Sequence, residues 1–469
     1  MYRTWITANA MQPATSSPAA VPARIPGYGE IARFSGPLML GLLTNALHTV
    51  IDSLFAARLG TAALAAVGFA ATAYFAALVM FLGLMRNSIA FVARAHGEAR
   101  QAGIGLVVAQ YQWLALLAFP LVYVALLAFP WIAAVARLTP EVEALAASFL
   151  WVRVWDVPLV LTAVLYGAMF QATGRSVPPM AVAWAGLVLN TVLNYALVLG
   201  NWGFPALGVA GSALATVIAQ GAGMAALVSW AHLGEERRRF SLRLWMRPRP
   251  TLLASILAVG IPQGLGDAVE VLSFLAFFAI IARLGEISLA ASNIAVVVTH
   301  MLFLPGFAMG IAGASYVGRL LGAGRPDLAR RTVRRVLFLG VLYMGLLGLP
   351  LWGWGGAIGE AYSSDVEIVR LATLIFKVMA LYQVCDAAGI ILRISLSGAG
   401  DTWRPTAILA ACAGLVLLPG AWWLSRVIEP GVVGGWIGAF GYMALLAVLL
   451  LWRFERGAWE RTRIIPAGD

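Results

Sequence analysis

A chain of 469 residues that is 61% hydrophobic and only 11% charged cannot cover a water-facing surface of its size, because an ordinary soluble domain is about 25% charged. The net charge of +11 would suggest nucleic acid in a soluble protein. Here the basic residues are nearly all Arg packed into loops between apolar runs, which reads as membrane topology, with no nucleic-acid partner expected. Mean hydropathy is +0.86, and the apolar runs are long enough for a hydrocarbon core about 30 Å thick. The fold class expected is all-α and polytopic, with the lipid bilayer as its surroundings.

Residues 1–30 form a Pro/Ala/Ser-rich polar tail that lacks the apolar core and small-residue cleavage site of a signal peptide. Apolar runs and their breakers then predict spans near 31–56, 62–92, 104–129, 143–172, 178–200 and 208–231, together one lobe over residues 31–231. The run HLGEERRRFSLRLWMRPRP, residues 232–250, is a basic linker. Six more spans follow near 252–283, 288–318, 333–359, 364–397, 404–427 and 433–454, a second lobe over 251–455, and a short basic tail, 456–469, closes the chain. Trp131, Trp202, Trp230, Trp245 and Trp452 fall near predicted span ends, as an interfacial aromatic belt would. Cys385 and Cys412 lie in separate spans without metal-type spacing, so neither a disulfide framework nor a zinc site is supported.

The two lobes repeat one unit. Ala57-Arg58-Leu59-Gly60 returns as Ala282-Arg283-Leu284-Gly285, and at the same shift of 225 positions Pro37 meets Pro262, Arg94 meets Arg319 and Gly97 meets Gly322. One position out of phase, Gly174 meets Gly400. A near-constant offset over more than a hundred residues marks an internal duplication. Six spans per copy is an even number, so about twelve helices form two parallel six-helix lobes enclosing a substrate path. Arg residues crowd both tails, the linker and the turns at Arg94–Arg100 and Arg319–Arg335, whereas the alternate loops hold at most one basic residue or are acidic, as at Glu360, Asp365 and Glu367. The Arg-rich side is expected to be cytoplasmic, with both termini there.

Polar residues inside the spans mark the candidate site, because a carboxylate at the bilayer centre costs about 2.5–3.5 kcal/mol on insertion scales. In the first span Asn45, His48 and Asp52 share a helix face, and His48 is a candidate proton partner for Asp52. The fifth span carries Asn190 and Asn194 one turn apart, either bonding helix to helix or accompanying Asp52. In the seventh, Gln263, Asp267 and Glu270 recur at steps of four and three in a stretch loosened by Pro262, Gly264 and Gly266. Asp267 lies nearer the membrane surface and is secondary to Glu270. Two carboxylates one turn apart can take up a proton or coordinate Na⁺ with oxygen ligands. The tenth span places Tyr382 one turn before Asp386, with Arg393 two turns beyond. Arg393 is expected to snorkel toward the turn at Gly398–Trp403, the alternative being a counter-ion role. No phosphate-binding GxxxxGK[ST], HExxH or GxSxG is present, so ATP is not expected as an energy source and the chain is read as a non-enzyme.

Four stretches together resemble the multidrug and toxic compound extrusion (MATE) transporters, in particular the NorM-like branch. They are VIDSLFAARLGTAALAAVG, LVLNTVLNYALVLG with GVAGSALATVIAQ, SYVGRLLGAGRPDLARR, and QVCDAAGIILRISLSGAGDTWRP. The resemblance runs from about Gly36 to Phe454 and implies the MATE/MOP-type fold. It also implies efflux of amphipathic, often cationic, organic molecules from the cell across the inner membrane, in exchange for Na⁺ or H⁺ and with no other cofactor. By resemblance, Glu270, Tyr382 and Asp386 form a cation site and are the candidate Na⁺ ligands, with Asp52, Asn190 and Asn194 as the matching residues of the other lobe. A branch with an aspartate at the Asn194 position has its proton site there, so Asn194 speaks against that variant. Ser397 stands where the family usually has Arg. Arg86 interrupts a run that is usually small and apolar; snorkelling is expected, and a cavity-facing Arg86 would put a preference for cations in doubt.

The expectation is a monomeric, cation-coupled antiporter working by alternating access. Two alternatives stand beside it. A flippase for a lipid-linked or anionic substrate would line its cavity with several cations, for which only Arg86 and Arg393 are candidates. A membrane-embedded enzyme would use the buried carboxylates as acid and base.

Overall fold

The computed structural model describes residues 24–462 and Ile464; most of the amino-terminal tail and the end of the carboxy-terminal tail lie outside the described residues. Twelve helices among them are long and apolar enough to cross a membrane. The first lobe holds α1 (Tyr28–Arg58), α2 (Thr61–Gly97), α3 (Gln101–Leu126), α4 (Pro140–Ala172), α5 (Val177–Leu197) and α6 (Gly208–Leu233). The second holds α7 (Pro250–Ala282), α8 (Glu286–Gly322), α9 (Pro326–Glu360), α10 (Val366–Gly398), α11 (Trp403–Val427) and α12 (Gly431–Glu455). No strand occurs among the described residues.

The helix ends follow local chemistry. Before α2 and α8 the chain turns at Gly60 (φ +116°) and Gly285 (φ +108°), a region that favours glycine. These are the glycines paired by the 225-residue shift, so the duplication extends to backbone conformation. The third apolar run ends earlier than its hydropathy suggests: α3 stops at Leu126 and a separate short helix, Phe129–Val135, follows with Pro130 in its first turn. Two helices are interrupted. α2 changes register at Asn87, and α4 passes through a 3₁₀ turn at Val154–Asp156 just before Pro158. In α7, Thr402 and Thr406 donate to the Val259 and Pro262 carbonyls (2.7 and 2.8 Å), satisfying backbone beside the proline.

The linker is tied to α3. The Gly105 amide donates to the Phe240 carbonyl (3.0 Å), Trp113 Nε1 to Met246 (2.9 Å), and Arg249 N to Gln110 Oε1 (2.8 Å). Its short helix Glu235–Arg239 presents Glu236 to Arg175.

The lobes close on one another at the linker side. A methyl at Gly97 would land on the Arg319 carbonyl, and one at Gly322 on the Arg94 carbonyl. Gly318 packs against Ala93, and Gly264 against the Met80 carbonyl. Polar contacts cross the same seam: Asn87 Nδ2 to Ser397 Oγ (3.2 Å), Arg94 Nη2 to the Ala399 carbonyl (3.4 Å) and Ser315 Oγ to the Gln171 carbonyl (2.8 Å). Small residues that admit backbone to backbone are how helices associate where lipid offers no hydrophobic driving force.

Candidate functional site

Each lobe buries one polar cluster, and the two differ in kind. In the first lobe Asp52 of α1 is held by neutral donors: Asn194 Nδ2 of α5 at 2.9 Å and Thr216 Oγ1 of α6 at 3.4 Å. Asn194 Nδ2 also lies 3.1 Å from Asn190 Oδ1, and Asn190 Nδ2 donates to Thr216 at 3.1 Å. The structure therefore brings Asp52, Asn190 and Asn194 together from two helices, with Thr216 from a third. His48 lies beside Asn190 with a buried Nδ1. Asn45 is exposed and stands apart from this hydrogen-bonded group. Thr216 was missed by sequence reasoning; it is one of three hydroxyl residues in a Gly/Ala-rich helix, and nothing in the sequence singles it out.

A second feature of this lobe also escaped. The interrupted turn of α4 points Asp156 inward, fully buried, where Tyr74 of α2 donates to it at 3.3 Å and Arg153 pairs with it at 3.5 Å. Arg153 stacks over the Tyr74 ring at 5.1 Å and lies within electrostatic reach of Asp52. The signal was present: an Arg and an Asp at i, i+3 inside a predicted span, just before a proline.

The cluster of the second lobe is ionic. Arg393, expected to snorkel, instead turns inward with its side chain only 7% exposed. It donates to Asp267 Oδ1 at 2.7 Å and Glu270 Oε2 at 2.8 Å. The reason is geometric: the long Arg393 side chain spans from α10 to Asp267 and Glu270 of α7, and two carboxylates within reach outweigh the distance to the turn. Arg86 does not snorkel either. It pairs with Asp267 across the lobes and lies over the Phe307 ring at 5.2 Å. Asp267, read as a secondary and shallower group, is thus the centre of the cluster, bound by two guanidiniums and by Gln263 Nε2 at 3.2 Å.

Asp386 and Tyr382 are buried one turn apart. Asp386 makes no hydrogen bond or ion pair among the described residues, and it lies within electrostatic reach of Glu270 and Arg393. Tyr442 of α12, which the sequence did not mark, is buried within electrostatic reach of Glu270 and Asp386. Among the described residues no group of three His, Cys, Asp or Glu side chains is placed to hold a metal ion; the candidate Na⁺ set is two carboxylates and a phenol, with Arg393 already on Glu270. What the arrangement offers chemically is charge: three carboxylates (Asp267, Glu270, Asp386) against two guanidiniums (Arg86, Arg393).

The MatE family model matches the chain twice, at residues 37–196 and 262–423, more than half of it in all. The two matches begin 225 positions apart, the shift seen in the sequence. A relative from Burkholderia mallei named "Probable multidrug resistance protein NorM" is 32% identical over 94% of this chain and 96% of its own length. One of the same name from Idiomarina loihiensis is 26% identical over 92% and 94%. Among solved structures, the Vibrio cholerae MATE transporter VcmN in its bent form superposes with a TM-score of 0.82 at 19% identity, covering 92% of this chain and 96% of that one; this likeness concerns the fold.

Proposed function

The chain is a NorM-like member of the MatE family of multi-pass membrane transporters, and we propose that it exports amphipathic organic compounds, cationic ones above all, in exchange for Na⁺ or H⁺. The relatives named multidrug resistance protein supply the drug-efflux part of this reading. The observation that carries the coupling part is the charge imbalance in the second lobe, where Asp386 has no cation of its own beside Glu270 and Tyr382. An unmatched carboxylate at this depth is costly, and a monovalent cation entering the Glu270–Asp386–Tyr382 site relieves it. Asp52, held by amide and hydroxyl donors, is the corresponding acidic group of the first lobe.

Export then follows from two lobe arrangements, cation binding favouring one and substrate the other. The protein is placed in the cell's inner membrane as a monomer, with the Arg-rich linker side and both termini in the cytoplasm. The membrane potential adds about 2.3 kcal/mol per charge per 100 mV. The flippase reading is weakened because each arginine of these clusters, Arg86, Arg153 and Arg393, already faces a carboxylate. None offers a free cationic lining for an anionic headgroup.

The test is uptake of a fluorescent cationic dye into proteoliposomes under an imposed Na⁺ gradient or an imposed pH gradient. One gradient is expected to drive accumulation and so to identify the coupling ion. Well-incorporated protein that moves dye under neither gradient would overturn the antiport reading.

A further inference from the structure

Arg86, Asp267, Arg393 and Glu270 form one alternating ladder of charge that begins in the first lobe and ends in the second. Asp267 faces two guanidiniums, Arg86 from α2 and Arg393 from α10. Arg393 in turn faces two carboxylates, Asp267 and Glu270. The Arg86 rung joins the lobes and lies in the seam itself: a methyl on Gly83, three residues before Arg86, would meet both Asp267 and the Gly264 backbone. The other titratable groups around the ladder are Asp386 and Tyr382 from α10, Tyr442 from α12 and Cys412 from α11.

We propose that Arg86 and Arg393 compete for Asp267, that the Arg86–Asp267 pair is the latch holding the linker side closed, and that the charge on Glu270 sets the outcome. While Glu270 is charged, Arg393 is divided between two carboxylates, and Asp267 keeps enough negative charge to hold Arg86. Once a monovalent cation neutralises Glu270, Arg393 belongs to Asp267 alone. Asp267 is then matched one to one, and Arg86 is left partly buried without a counter-charge of its own, which is unfavourable. Separation of the lobes lets water reach its guanidinium. Arg86, with a side chain 33% exposed against 7% for Arg393, is the partner placed to leave. The direction suits an exporter, since a cation arriving from the far side opens the linker side. This inference rests on the antiport reading for the identity of the neutralising cation, but the latch itself stands on the ladder alone.

The experiment uses full-length protein in lipid nanodiscs, with Cys385→Ala and Cys412→Ala and spin labels at Ala102 and Ala323, exposed positions on opposite lobes at the linker side. Pulsed electron resonance reads the distance between them. Arg86→Gln and Glu270→Gln are each expected to raise the long-distance population by about fivefold or more, the usual scale of inter-site coupling. Arg393→Gln is expected to move it the opposite way, because Arg86 then holds Asp267 without a rival. Arg86→Lys restores the wild-type distribution. Substitutions that merely loosened packing would all move the distance in one direction, and that result, or an unmoved distance in Arg86→Gln, overturns the latch. Distances that move as expected while neither gradient drives dye leave the latch standing and remove the antiport reading. Gradient-driven dye with unmoved distances removes the latch alone.

Discussion

Asp386→Asn should abolish gradient-driven transport while leaving the protein folded in the membrane. Asn fills the same volume, and Asp386 makes no hydrogen bond or ion pair among the described residues that the change would break. What disappears is a charged ligand for the coupling cation. A charge-assisted contact is worth about 1.5–3 kcal/mol, which at about 1.4 kcal/mol per decade is about ten- to a hundredfold in cation affinity. Dye uptake into proteoliposomes at a fixed gradient, normalised to incorporated protein, measures the loss directly. Transport at the wild-type rate would remove Asp386, and with it the charge-imbalance argument, from the coupling site.

The largest effect on stability is expected at Asp156, far from that site. Asp156→Ala strands Arg153 in the interior of the first lobe without its paired carboxylate, leaving the Tyr74 ring beside it and only the electrostatic reach of Asp52. Removing one partner of a buried pair costs about 3–5 kcal/mol, because the remaining charge is left uncompensated. The double variant Arg153→Met with Asp156→Ala should recover most of that loss, since an apolar pair of similar volume is often no less stable than the ion pair it replaces. Thermal unfolding in detergent reads both. A double variant as unstable as the single one would show that the packing of the α4 turn matters here and the charge does not.

The architecture was legible because its signals are long. Twelve apolar runs and a repeat offset held from Pro37–Pro262 to Gly97–Gly322 each average over many residues, and the paired turns at Gly60 and Gly285 share their backbone conformation. The candidate site was legible where polar residues stood alone in apolar sequence, as with Asp52, Glu270 and Asp386. What failed was direction. Arg393 lies five residues before the end of α10, so its length alone permitted it to reach the turn; whether it turns in or out is set by what α7 presents to it. Arg86 depended in the same way on α7, more than 180 positions along the chain. Arg153 and Asp156 were passed over because the turn that aims them inward is a break within a helix, and hydropathy averages across such breaks.

The contact that seals the linker side is reciprocal. Gly97 receives the Arg319 carbonyl and Gly322 receives the Arg94 carbonyl, and each residue stands 225 positions from its counterpart. Each half of the chain thus carries both the knob and the socket, in the manner of an isologous interface. A lone half would meet a copy of itself with the same fit. Arg86 breaks this equivalence, for the position 225 residues beyond it is Ile311. The glycine contacts alone cannot tell one half from the other; the ion pair laid across the seam, with the Asn87–Ser397 and Ser315–Gln171 hydrogen bonds, makes them unequal and so gives the closure a left and a right.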